Sequence, residues 1–124
     1  MKKIILDCDP GQDDAVALAL AMAAKDEIEI LGVTTVAGNV PLNLTQRNAR
    51  IMCEMCHRPD VKVYAGSEKP MAQELVTAEH VHGKSGLDGI EIYEPSHSLE
   101  EKHAIDFIIE SCLAAEHNSL ILVP

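Results

Sequence analysis

Residues 4–24 read IILDCDPGQDDAVALALAMAA: three aliphatics, an acid-rich turn, then ten small or apolar residues. Ile4–Leu6 is a short continuous apolar run, the pattern of a strand buried on both faces. Pro10-Gly11 breaks it. Ala15–Ala24 is built from strong helix formers that are apolar nearly all round, which predicts a buried helix. The same alternation continues downstream. Ile28–Val36 is β-rich and ends at the loop signal Ala37-Gly38-Asn39. A helix is expected over Leu42–His57, with Ile51, Met52, Met55 and Cys56 on one face. Val61–Tyr64 reads as a third strand. Ser98–Glu101 reads as a capping box ahead of a helix carrying Ile105, Ile108, Ile109 and Cys112, and Leu120–Val123 as a fourth buried-type strand. Residues 65–97 show no period. Strands alternating with helices predict an α/β fold, a doubly wound, mainly parallel sheet flanked by helices. The expectation is one domain over residues 1–124, open at its C-terminal strand, and a chain that reads as cut off after a strand of central type.

Ten Lys+Arg stand against twenty Asp+Glu, a formal net charge of -10. Nucleic-acid binding draws its affinity from cations on phosphates, so this balance excludes that class and suits a divalent cation or a small polar ligand. No apolar run approaches a membrane span. The start, MKKIILDCD, lacks the profile of a signal peptide. Four Cys without such a signal suggest reduced thiols and a cytoplasmic chain.

Ligands of doubly wound sheets bind beyond the carboxyl ends of the strands. Asp7, Asp9 and Asn39 are expected just past two such ends. On an extended backbone Asp7 and Asp9 point to the same side, while Asp13 and Asp14 open the next helix, where the macrodipole favours acids. A helix start accounts for Asp13 or Asp14 taken singly. It does not account for Asp7 and Asp9 beside them. Hard oxygens held by a turn suit Ca²⁺ or Mg²⁺, although the spacing is not that of an EF-hand.

The stretch DCDPGQDDAVAL resembles the N-terminal signature DxDPGxDDAxAL of the inosine-uridine-type nucleoside hydrolases. The likeness continues through VTTVAGN (residues 33–39), VYAG (63–66), HGKSGLDG (82–89) and the closing ILVP. The resemblance implies hydrolysis of the N-glycosidic bond of ribonucleosides to ribose and free base, in nucleoside salvage. It implies Ca²⁺ held by Asp9 and a bidentate Asp14, with the metal carrying the nucleophilic water and Asp9 as general base. It also implies that Asp13 and Asn39 bind the ribose, that Asp7 supports the cluster and that His82 serves the leaving base. Family members are homodimers or homotetramers, and draw further site residues from beyond the equivalent of Pro124.

Two other readings compete. A haloacid-dehalogenase-type phosphatase would use Asp7 as nucleophile, Asp9 as acid/base and Thr34 or Thr35 from the next strand. Pro10-Gly11 and the Asp13-Asp14 pair speak against it. A non-catalytic metal-binding fragment would instead self-associate through the bare LILVP edge. Cys53-Glu54-Met55-Cys56-His57 spells the haem-attachment pattern, but on an amphipathic helix it is better read as buried cysteine. Cys8 points away from Asp7 and Asp9, toward the core. His80 and His82 form an H-x-H pair, of which the resemblance gives a role to His82 alone.

Overall fold

The computed structural model describes all residues, Met1–Pro124. Its elements are β1 (Lys2–Cys8), α1 (Gln12–Ala23), β2 (Ile28–Thr35), α2 (Leu42–Met55), β3 (Val63–Ala65), α3 (Glu79–His82), α4 (Ala104–Ala114) and β4 (Leu120–Val123). The strands form one parallel sheet in the order β3-β2-β1-β4. The chain therefore steps from β1 to β2 to β3 in one direction and returns to the far side of β1. That reversal leaves a crevice outside the carboxyl end of β1, the place where open α/β sheets bind ligands.

Side-chain alternation sorts the two faces. Ile4, Leu6 and Val33 face α1 and α2, and close a core with Leu18, Met22, Met52 and Cys53. Cys8 packs against this core, as its place between two acids suggested. Gly32 and Tyr64 face α4, whose Phe107 ring stacks on Tyr64 with centroids 3.9 Å apart and planes within 9°. Between Ile4↔Ile30 and Ile5↔Gly32 the register slips by one residue, leaving Leu31 as a bulge.

A Cβ at Gly32 would lie 2.8 Å from the Phe107 ring and 2.9 Å from that of Tyr64. Gly32→Ala should therefore part the stack and loosen α4. The expected cost is about 1–3 kcal/mol, read as a lower urea midpoint.

Several expectations need correction. Asp7 lies inside β1, and only Asp9 lies past its end. α1 is not buried all round: Val16 and Leu20 are 70% and 71% exposed. A helix laid on one face of a sheet buries one stripe, here Leu18, Ala21 and Met22. On α2 the buried stripe includes Asn48, Ile51, Met52 and Cys53, while Met55 faces solvent. The capping box at Ser98–Glu101 is not used. α4 starts later, and the His103 Nδ1 accepts from the Ile105 N–H at 3.1 Å. Ile105, Ile109 and Cys112 of α4 are exposed. β4, of buried type in sequence, exposes Ile121 and Leu122; it forms the edge at which the sheet was expected to be open. No helix is long and apolar enough to cross a membrane.

Candidate active site

Three segments meet at the carboxyl end of β1, and glycines let them approach. A Cβ on Gly38 would sit 2.1 Å from the Asp9 carboxylate, and one on Gly11 2.7 Å from His82 Nδ1 and 2.8 Å from Asn39 Nδ2. Side chains of the turn after β1, the loop after β2 and the end of α3 thus rest directly on glycine backbone of their neighbours.

Asp9 is held from both neighbours. Its Oδ2 accepts the Asn39 backbone N–H at 2.7 Å, and its carbonyl accepts the Asn39 side-chain amide at 2.8 Å. Its own N–H donates to Asp14 Oδ2 at 3.1 Å. Asp14 is half-buried, and Asp13 stands exposed one residue earlier in the first turn of α1. Burial pushes the Asp14 carboxyl above the usual carboxylate range. The hydrogen bond from Asp9 N–H opposes that, and the charges of Asp13 and Asp9 add to it. Burial also raises the Cys8 thiol, with Asp14, Asp7 and Asp9 adding to the shift. The ion pairs of the structure lie elsewhere, at Arg50–Glu94, Arg58–Asp60 and Lys102–Glu110. The acids are left without a protein countercharge.

Asp7 is turned to its sheet neighbour: Oδ1 accepts from the Thr34 hydroxyl at 2.6 Å, across the Asp7↔Thr34 register pair. That contact suits a supporting part. His82 closes the site from the other side. The first backbone N–H of α1, at Gln12, donates to His82 Nδ1 at 3.4 Å. Gly11, the N-cap, offers no side chain, so the imidazole serves one of the unpaired donors of a helix start. With Nδ1 accepting, the proton of a neutral ring resides on Nε2. The Gln12 side chain reaches the Asp88 carbonyl at 2.9 Å.

The structure brings Asp9, Asp14, Asn39 and His82 together, with Asp13 at the rim and Asp7 behind in the sheet. His80 is exposed and has no place in this cluster. Thr34, Gln12 and Gly38 were not singled out in the sequence for this cluster. Each nonetheless lies in a stretch with a signal: Gln12 in the acidic turn, Gly38 in the loop after β2, and Thr34 among the residues of the competing phosphatase reading. Cys53 lies wholly buried in α2, and burial pushes its thiol up to about 12; Cys56 packs half-buried against the same core, while Met55 and His57 of the C-x-x-C-H stretch face solvent.

The sequence of residues 4–124 matches the inosine-uridine preferring nucleoside hydrolase family. An inosine-uridine preferring nucleoside hydrolase of Crithidia fasciculata is 43% identical over 125 residues, covering 99% of this chain and 39% of that protein. An uncharacterised Schizosaccharomyces pombe protein is 56% identical over 109 residues, covering 88% of this chain and 35% of that protein. Among solved structures, a purine-preferring ribonucleoside hydrolase of Gardnerella vaginalis superimposes with a TM-score of 0.85 at 34% identity, covering 99% of this chain and 40% of that one. The chain thus spans between 35% and 40% of the length of these relatives. An aspartate-rich turn at the switch point of a parallel sheet, capped by a histidine loop, and a match running from the first strand to the last place the chain in the inosine-uridine preferring nucleoside hydrolase family.

Proposed function

We propose that this site serves hydrolysis of the N-glycosidic bond of ribonucleosides, with Ca²⁺ as cofactor and nucleoside salvage as its context. The observation that carries the reading is the Asp9–Asn39–Asp14 arrangement facing His82. Carboxylates kept together without a countercharge, one of them half-buried, form a hard-oxygen set that a divalent cation fits. Asp9 and Asp14 would hold it. They supply part of the six to eight oxygens (about that number) that calcium takes. Within residues 1–124 no third acid, His or Cys joins them in one ligating group; carbonyls, water or residues outside this stretch would complete the shell. When bound, calcium offsets the repulsion among the acids and lowers the pKa of water.

The chain's own groups divide the remaining work. Asp9, oriented by two donors from Asn39, takes the proton of the attacking water. Asp13, exposed at the rim, accepts from a ribose hydroxyl. Asn39 has its amide donors turned to Asp9, which leaves its Oδ1 for a ribose hydroxyl. The carboxylates also stabilise the positive charge that develops on the ribose as the bond breaks. His82, with its proton on Nε2, donates toward the departing base. The protein is further proposed to act in the cytoplasm as a homodimer or homotetramer.

The test is ribose release from inosine and uridine, with calcium and with chelator. Calcium-dependent release that falls by about 10²–10⁴-fold in Asp9→Asn is the expected result, the range for loss of a general base. Release indifferent to chelator, or turnover of a phosphate ester in place of nucleosides, would overturn the reading.

A further inference from the structure

Asn48 lies on the buried stripe of α2, fully covered, where an aliphatic residue would serve packing better. Its Nδ2 donates both hydrogens across the fold: to the Pro10 carbonyl at 3.1 Å and to the Ser85 carbonyl at 2.8 Å. Pro10 follows Asp9 directly. Ser85 belongs to the loop that leaves His82. One amide group therefore ties the acidic turn to the histidine loop.

The arrangement is specific to an asparagine oriented this way. Flipping the amide would set Oδ1 against two carbonyl oxygens. As it stands Oδ1 is buried with no partner, a cost that native proteins rarely carry. Stability alone would not select such a residue at this place. The loop is shaped to meet it. Gly86 has φ +84°, and a Cβ there would lie 2.9 Å from Asn48 Nδ2 and 3.3 Å from the Pro10 carbonyl. Beyond the contact the loop closes on itself: Ser85 Oγ donates to Asp88 Oδ1 at 2.9 Å, and Asp88 N–H to the His82 carbonyl at 3.4 Å.

We propose that Asn48 is a positioning residue that locks the His82 loop onto the acidic turn and so fixes the spacing between His82 and the Asp9–Asp14 cluster. Its importance for turnover rests on the hydrolase reading above; the coupling itself does not. The test is amide hydrogen exchange, with the ¹⁵N signals of the histidine rings, on the full chain carrying Asn48→Leu. Exchange at Gln12, Gly86 and Asp88 is expected to accelerate at least about tenfold, the equivalent of about 1.4 kcal/mol of local opening. Val33 and Val36, whose N–H groups bond within the sheet region to Lys62 and Cys8 carbonyls, should stay within about twofold. The His82 ring signals should move toward those of exposed His80.

A merely structural role would accelerate sheet and loop amides together and leave the ring of His82 in place; that outcome overturns the proposal. So does unchanged exchange at the loop. If the leucine variant fails to fold, Asn48→Ala, which suits the helix and leaves room for a water, is read by the same signals against the same criteria. Neither readout needs calcium, nucleoside or turnover. A chain that binds no calcium yet loses loop protection in these variants would count against Asp9 and Asp14 as a calcium site on their own and leave the coupling standing.

Discussion

Asp14→Asn is expected to act in opposite directions with and without calcium. In the metal-free chain the ionised Asp14 carboxylate is half-buried beside Asp13 and Asp9, and its pKa is raised. A group with a raised folded pKa contributes stability that is fully present below the unfolded value and lost as pH rises through the folded one. The metal-free chain should therefore weaken as pH climbs from about 4, the ordinary Asp value, toward neutrality. The asparagine variant lacks that titration. It should melt higher than the parent at pH 7 in chelator, with the gap closing at pH 4. Asn keeps an oxygen that accepts from the Asp9 N–H, so the local hydrogen bond survives and the comparison isolates charge.

With calcium the order reverses. The parent gains stability by binding, as RT ln(1 + [L]/Kd), whereas the variant has lost a charged ligand. Second-sphere partners alone account for about 10–100-fold in metal affinity, so a first-sphere loss should exceed about 100-fold. Calorimetric titration and melts in calcium against chelator check both halves. Equal calcium affinity in parent and variant would remove Asp14 from the ligand set.

The fold was legible in the sequence where one signal dominated. Ile4–Leu6, Ile28–Val36 and Leu120–Val123 carry the β-branched or aliphatic runs of parallel strands, and all three became strands of a parallel sheet. The acidic turn showed itself because four acids in eight positions have no bland explanation as a set. What failed was the inference from apolar composition to burial in α1. Val16 and Leu20 face solvent, because composition does not tell which stripe of a helix meets the sheet. α4 starts past the residues whose types suit a cap. Ser98 and Glu101 have the residue types of a capping box, but the chain at Leu99 and Glu100 is drawn along the edge of β3, where Glu100 N–H donates to the Val63 carbonyl at 2.9 Å. A tertiary contact outranked a local one. Asn48 was unreadable as a linker because both of its partners lie about forty residues away in sequence, 38 and 37 positions off.

Arg50→Met should cost stability on the scale of a core truncation. Arg50 is buried and grips the returning chain with its whole guanidinium. Nη1 donates to the His97 carbonyl at 3.1 Å and to that of Pro95 at 3.4 Å, Nη2 to Glu94 at 2.9 Å, and Nε to Gln46 at 2.8 Å. Methionine keeps much of the stem's packing and removes every donor. The Glu94 end of the ion pair is largely exposed and can return to water, so the cost falls on the two carbonyls. At about 1–3 kcal/mol for each of the two unsatisfied buried groups, the loss should be about 2–6 kcal/mol, a fall of about 10–20 °C in melting midpoint. One turn along, Glu54 grips the same segment, accepting from Tyr93 Oη at 2.9 Å, Ser96 Oγ at 2.7 Å and His97 N–H at 2.8 Å. The Ser96 and Tyr93 hydroxyls, with the His97 N–H, pull its carboxyl down to about 2. Here the sign is the reverse of Asp14: the contribution is present above the ordinary Glu range and lost as pH falls through the folded value. Melts of Glu54→Gln should therefore lie below the parent at pH 7 and converge on it as pH drops from 4.5 toward about 2. A gap that stays constant across that window would show that shape, not charge, holds residues 93–97 to α2. Calcium affinity should be unchanged in both variants, because the side-chain hydrogen bonds of Arg50 and Glu54 run to Gln46 and residues 93–97 and not to the acidic turn.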